Sequence, residues 1–233
     1  PFGAPSDAYY EGRLGNIEVA FLPRHGRGHR LAPSEINHRA NIFGFKQLGV
    51  TQLVSISAVG SLREDFRPRD ICLPDQYFDR TKQSEKHTFF GQGIVAHIAF
   101  SQPICLRLQG SVGDAAEQVI SEQPAFEGLR VHRGGTYVNM EGPAFSTRAE
   151  SVFYHKAGFD VIGMTSLAEA KLAREAEICY ASAAMITDYD AWHEANEPVT
   201  VEMIVGNLQA NTNLARALIL RLAATVQDDP DCA

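Results

Sequence analysis

The sequence predicts an α/β fold: a single domain with a central, twisted, mixed but mostly parallel sheet flanked by helices. Three observations predict it. Short apolar, β-branched runs alternate with helical patterns along most of the chain, the arrangement that pairs strands in parallel through crossover helices. Residues 201–222 keep the three-and-four apolar spacing of a long helix that buries one face. The 233 residues, 45% hydrophobic and 21% charged, are enough for one large core and show no repeat, low-complexity stretch or linker.

Residues 16–22 alternate and then turn apolar, as a strand does, and run into the glycine-punctuated basic loop 23–30. Residues 33–48 read as a helix, with Ser34 as its cap, Ile36, Ala40, Ile42, Phe43 and Phe45 on apolar faces and Gly49 as the stop. Residues 52–57 are a β-branched run that ends in Ser57-Ala58-Val59-Gly60-Ser61. Strand, helix and strand at this spacing form a βαβ unit and predict parallel pairing of its two strands. Residues 71–73 predict a further strand, 80–93 a polar irregular excursion, and 103–117 a helix. The β run 136–140 leads into Glu141-Gly142-Pro143-Ala144-Phe145-Ser146. Thr147 and Glu150 form a capping box that opens a helix ending before Gly158, and Ser166 with Glu169 repeats the pattern for a helix through residue 175. Between them 161–164 is a short buried strand. Residues 179–186 form the next strand, which gives way to Thr187-Asp188-Tyr189-Asp190. The tail 228–233 is polar and is expected to fray.

Charge excludes one broad class. A formal net charge of −7 argues against a surface for nucleic acid, whose binders carry a basic excess. Any phosphate handled here is small and locally bound. The four cysteines are scattered, without CxxC or Cys/His ligand spacing, and Cys179 in its apolar run reads as a buried reduced thiol. His29 and His97 have no metal-ligand spacing to other His, Cys or acidic residues, so no metal site is expected. No run approaches the roughly 18 apolar residues of a membrane span and no secretory leader is visible, which makes the cytoplasm the expected compartment.

The candidate chemistry gathers at predicted strand ends, where open α/β sheets place their ligands. Arg24 and His25, among Gly26 and Gly28, could hold an anion by a bidentate charge and close backbone approach. A solvated basic turn has the same composition. Ser57 and Ala58 offer a hydroxyl and free amides, and Thr165 stands where a buried strand meets a helix start that favours an anion. A plain turn and a plain cap would read alike, but the convergence of all three on one sheet edge predicts a site for a single inorganic phosphate. Phe145, in the turn after Gly142-Pro143, is either a plug over the core or a stacking partner for a flat heterocycle. Asp188 and Asp190 end an apolar strand. They are turn formers, or carboxyls whose burial lets them hold a proton.

In register, blocks 1–7, 24–29, 33–40, 57–63, 141–151, 161–173 and 181–192 resemble the trimeric purine nucleoside phosphorylase superfamily, and within it the methylthioadenosine phosphorylases. The resemblance implies the nucleoside phosphorylase fold and a pentosyl transfer to phosphate, a step of purine and methionine salvage. It implies that inorganic phosphate is a co-substrate and that no cofactor is needed. Carried over by position, Arg24, His25, Ser57, Ala58 and Thr165 would form the phosphate shell. Asp188 would be the acid at purine N7, supported by Asp190. Met164 would face the ribose and Phe145 the purine; Gly60, Ile162, Gly163 and Thr187 would complete the nucleoside side. His29, Val201 and Ile204 would border the 5′ substituent, and His97 would be lent across the interface of a homotrimer or a dimer of trimers.

Ser146 and Asp188 stand where 6-oxopurine relatives have Glu and Asn, which favours adenine; Gly163 stands where methylthioadenosine enzymes can carry Asn. The family opens with a strand and a glycine-rich loop, and the expectation is that the domain spanning 1–233 lacks that unit ahead of Pro1. The alternatives are a 6-oxopurine nucleoside or methylthioinosine phosphorylase, and a non-catalytic nucleoside-binding relative. A nicotinamide-dependent oxidoreductase would need a GxGxxG turn, which is absent.

Overall fold

The computed structural model describes residues 1–194 and 201–227, without the side chains of residues 201–205. Its centre is β9 (Cys179–Tyr189), whose first nine residues are all buried. Such a strand must be covered on both faces, and the alternation of its side chains shows how. Ala181, Ala183 and Met185 pack against Leu108, Val112 and Ala115 of α2 (Leu106–Glu122) and Leu214 and Leu218 of α5 (Val201–Thr225). On the opposite face Tyr180 packs with Ile42 and Phe45 of α1 (His38–Gln47) and Leu172 and Ala173 of α4 (Ser166–Glu175). Small alanines on the strand let the helices approach closely.

The main sheet has seven strands in the order β5-β7-β8-β3-β9-β4-β6, with β3 at Gln52–Ser61, β4 at Ile71–Leu73, β5 at Gln76–Arg80, β6 at Val131–Arg133, β7 at Thr136–Met140 and β8 at Val161–Gly163. β3–β9, β4–β6, β5–β7 and β7–β8 are parallel; β3–β8 and β4–β9 are antiparallel. The sheet is therefore mixed and mostly parallel, as predicted. β3 lies beside β9 along its whole length but touches β8 only at Gly60 and Ser61. The remaining helix, α3 (Arg148–Lys156), opens with the predicted capping box, Thr147 and Glu150 each bonding the other's backbone amide.

Several local expectations are corrected. The strand at 16–22 does not pair with β3. It is β2 (Ile17–Phe21), paired antiparallel with β1 (Tyr10–Leu14) in a separate hairpin. The two-residue Gly15-Asn16 connection, with Gly15 at φ +61°, joins strands only in that sense. Helix α1 starts at His38 rather than Pro33: Asn37 accepts from the Ala40 amide as its cap, and Pro33–Glu35 is a separate 3-10 turn, so Ser34 caps nothing. β3 runs on through Ser61, so Ser57–Gly60 lie within the strand rather than in a turn after it. Ser166 does not cap α4; the N-cap is Thr165, without a side-chain cap bond.

Candidate active site

β3 and β9 carry the site between them. Their register places Ser57 opposite Ala184 and, after a bulge at Val59/Gly60, Gly60 opposite Asp188. The stretch from Ser57 to Gly60 spans about 10 Å at the usual strand rise. An anion-binding cluster gathers at one end of it and two carboxyls at the other.

At the anion end Arg24 leaves β2 and turns inward. Its Nε is 2.7 Å from Glu169 Oε1, Nη2 donates to Ser55 Oγ at 2.5 Å, and Nη1 donates to Thr165 Oγ1 at 3.2 Å. Burial opposes its charge most strongly, but the groups around it, Glu169 foremost, together outweigh that and keep its pKa raised. Glu169 is held in turn by the Tyr180 hydroxyl at 2.9 Å, which is 2.9 Å from Ser166 Oγ, itself 2.6 Å from the Tyr77 hydroxyl. This buried chain leaves the Arg24 guanidinium one orientation. His25 Nδ1 is 2.8 Å from Leu31 O, a pure acceptor, so Nδ1 carries hydrogen and Nε2 is the free nitrogen. Burial pulls the His25 pKa down, while His29 stacks on its ring with centroids 4.1 Å apart. Thr165 heads α4, whose N-terminal dipole favours negative charge at this spot.

At the carboxyl end Asp188 is half-buried, and Thr187 Oγ1 lies 2.6 Å from its Oδ1. Burial raises its pKa; the Thr187 bond opposes this and the Asp190 charge adds to it. Asp190 is buried more deeply. Its Oδ2 accepts from Ser151 Oγ, and its pKa is also raised, first by burial. The Trp192 amide donates to the same Ser151 Oγ at 2.9 Å and the Trp192 indole to Ser61 O at 2.8 Å, which locks the chain beyond β9. A Cβ at Gly60 would lie 3.2 Å from Ile162 Cγ2 and 3.4 Å from Asp190 Cβ, so glycine is what lets the aspartate seat against β3.

One cleft of 2060 Å³ joins the two ends. It is lined by Arg24, His25, His29, Ser57, Ala58, Gly60, Phe145, Ile162, Gly163, Met164, Thr165, Thr187, Asp188 and Asp190. Every predicted site residue is thus brought together except three. His97 stands exposed on the segment before α2, away from the cleft of its own chain. The side chains of Val201 and Ile204 lie outside the described residues. Phe145 sits at the mouth, 80% exposed. The cleft exceeds the roughly 300–1,000 Å³ of a small-molecule site because it continues past Val54 and Leu218 beneath the β1–β2 hairpin. Among the described residues no group of three or more His, Cys, Asp or Glu is placed to hold a metal, and no helix is long and apolar enough to cross a membrane.

Two partners were hidden in the sequence. Glu169 matches a capping pattern but serves Arg24 instead; the signal was a second acidic residue on a buried helix face, where an unpaired charge is not tolerated. Ser55 lies on the same face of β3 as Ser57, two residues away, and only the arrival of Arg24 distinguishes it from a core serine.

Known proteins resemble this chain in sequence and fold. The sequence model of the phosphorylase superfamily matches residues 1–224. The S-methyl-5′-thioadenosine phosphorylase of Gloeobacter violaceus is 56% identical over all of this chain and 77% of its own length. That of Geobacter sulfurreducens is 51% identical, over all of this chain and 78% of its own length. Among solved structures, a methylthioadenosine phosphorylase from an antarctic soil metagenomic library superposes with a TM-score of 0.89 at 45% identity, covering 96% of this chain and 76% of that one. A Schistosoma mansoni adenosine/methylthioadenosine phosphorylase variant in complex with methylthioadenosine gives 0.90 at 35% identity, covering 99% and 84%. With a family match across nearly its whole length, and relatives more than half identical to it, this chain belongs to the phosphorylase superfamily.

Proposed function

We propose that this chain is a nucleoside phosphorylase that converts 5′-methylthioadenosine and inorganic phosphate into adenine and 5-methylthioribose 1-phosphate, in purine and methionine salvage in the cytoplasm. The observation that carries the reading is the single cleft with an oxyanion pocket at Arg24, Ser57 and Thr165 and a protonatable carboxyl at Asp188, about a nucleoside's length apart. The names of the relatives agree with it.

In this reading phosphate lies against Arg24, His25, Ser57, the Ala58 backbone and Thr165. A phosphate oxygen attacks the anomeric carbon as the bond to N9 breaks and its electron pair passes to the purine. The sugar gains positive charge on the way, which the phosphate stabilises. Asp188 gives its proton to N7, so the base leaves neutral, and the proton lost by hydrogen phosphate restores the acid. Thr187, donating to Oδ1, leaves Oδ2 to carry that proton. Bound phosphate and a proton on His25 Nε2 stabilise one another, since Nδ1 is already committed. Burial first, and then the neighbouring charge of Asp190, favours the proton on Asp188. Phosphate is a co-substrate, and the scheme needs no cofactor.

A homotrimer suits the surface: Ile94 and Val95, 65% and 80% exposed beside His97, are apolar area that a partner subunit would cover. His97 would then serve the partner's cleft.

Base release followed by ultraviolet absorbance tests the reading. 5′-Methylthioadenosine is expected to yield adenine only when phosphate is present. Inosine is expected to react about fivefold to 150-fold more slowly than adenosine, which shares its 5′ hydroxyl, because its N1 proton finds no carboxylate at Ser146 and an unmet buried donor costs about 1–3 kcal/mol. Adenosine is expected to be a weaker substrate by up to about 100-fold, the limit set by an apolar 5′ pocket meeting a hydroxyl. Release of adenine at an equal rate without phosphate would contradict the proposal.

A further inference from the structure

Tyr137 on β7 is paired with Val161 on β8, and its ring runs along the sheet toward Gly163, two residues further on. A Cβ at Gly163 would stand 1.9 Å from the Tyr137 hydroxyl oxygen and 2.7 Å from Cζ, so the phenol fills the room of the missing side chain. The ring is fully buried, and its hydroxyl has no hydrogen bond of good geometry among the described residues. Ser57 Oγ, also buried, has none either. Burial pushes the Tyr137 pKa up to about 12, against the Arg24 charge and against the Ser57 hydroxyl and Thr165 backbone, which lie close enough to lower it. Two buried hydroxyls near one another, each short of a partner, call for an explanation, and a ligand at the Ser57 end of the cleft supplies one.

We propose that Tyr137 is a positioning residue for phosphate: its O–H donates to Ser57 Oγ, which turns the serine's own hydrogen toward the oxyanion, and glycine at 163 admits the phenol. The direction follows from chemistry, because a phenol is the better donor and an alkyl hydroxyl the better acceptor. Left alone, Ser57 could spend its hydrogen on any nearby oxygen; with one lone pair occupied by Tyr137 it has a hydrogen to offer the ligand. The inference rests on the phosphorolysis reading. It adds a residue that carries no sign of function in the sequence, where Tyr137 is one apolar position of a β run.

Steady-state kinetics in phosphate for the wild type, Tyr137→Phe, Ser57→Ala and the double variant test it. Phe keeps the packing and removes one oxygen. The KM for phosphate is expected to rise about three- to tenfold in Tyr137→Phe, the size of one neutral hydrogen bond, with kcat and the KM for nucleoside within about twofold. In the Ser57→Ala background the same change is expected to have no further effect on phosphate. The phosphate-dependent rise in Tm gives the same ordering for variants too slow to assay. An unchanged phosphate KM in Tyr137→Phe, or an equal loss with and without Ser57, would overturn the proposal. Turnover of the wild type that ignores phosphate would instead overturn the reaction reading, and this inference with it.

Discussion

Asp188→Asn is expected to lower turnover of 5′-methylthioadenosine at least about 100-fold, the usual contribution of a general acid, while changing its KM by no more than a fewfold. The asparagine amide still donates a hydrogen bond to N7 but has no proton to transfer. Ground-state binding therefore survives and the transition state loses its acid. The pH dependence carries the same signature. The Asp188 pKa is raised first by burial, with the Asp190 charge adding and the Thr187 bond opposing. The acid is competent below that raised pKa and is lost as pH rises through it, so the wild-type kcat/KM should fall on the basic side. The Asn variant should lack that limb. A pH–rate profile of the two proteins checks both points, and superimposable profiles would remove Asp188 from the role.

Arg24→Ala is expected to raise the KM for phosphate at least about 100-fold, because it removes a bidentate charged contact and lets the buried Glu169 repel the anion. It should also destabilise the fold. The Arg24 and Glu169 side chains are only 15% and 9% exposed, and breaking such a pair leaves a buried charge at a cost of about 3–5 kcal/mol. For a chain of this size that lowers Tm by roughly 6–20 °C. The double change Arg24→Met with Glu169→Gln separates the two effects. It removes both charges and keeps a partner for the Tyr180 hydroxyl, so Tm should recover while phosphate affinity does not. Thermal melts and phosphate titrations read the two quantities independently. Recovery of both would mean that Arg24 supports the fold alone.

The sequence makes the architecture legible where one physical rule acts without competition. The unbroken apolar run that becomes β9 and the three-and-four spacing of α5 each allow a single solution, and both are realised. Thr147 and Glu150 form their capping box because neither is buried and the one outside partner, Arg80 at 3.6 Å, takes only the other oxygen of Glu150. The same pattern at Ser166 and Glu169 fails because Glu169 is buried, and a buried carboxylate goes to the nearest cation, Arg24, from 145 residues earlier in the chain. The pairing of β2 is misread for a related reason. The helix after it suggests a crossover, while the Gly15-Asn16 turn before it already closes a hairpin. The site follows the same division. Arg24, Ser57, Thr165 and Asp188 announce themselves at the ends of apolar runs. Ser55, Ser151 and Tyr137 become meaningful only when other strands and loops arrive beside them.

The most direct measurement is a crystal structure with phosphate and a non-cleavable analogue of the nucleoside. N7 is expected within hydrogen-bond distance of the residue 188 carboxyl, with the phosphate on the guanidinium of residue 24 and in line behind the anomeric carbon. A base turned away from residue 188, or an anion bound elsewhere, would contradict the account.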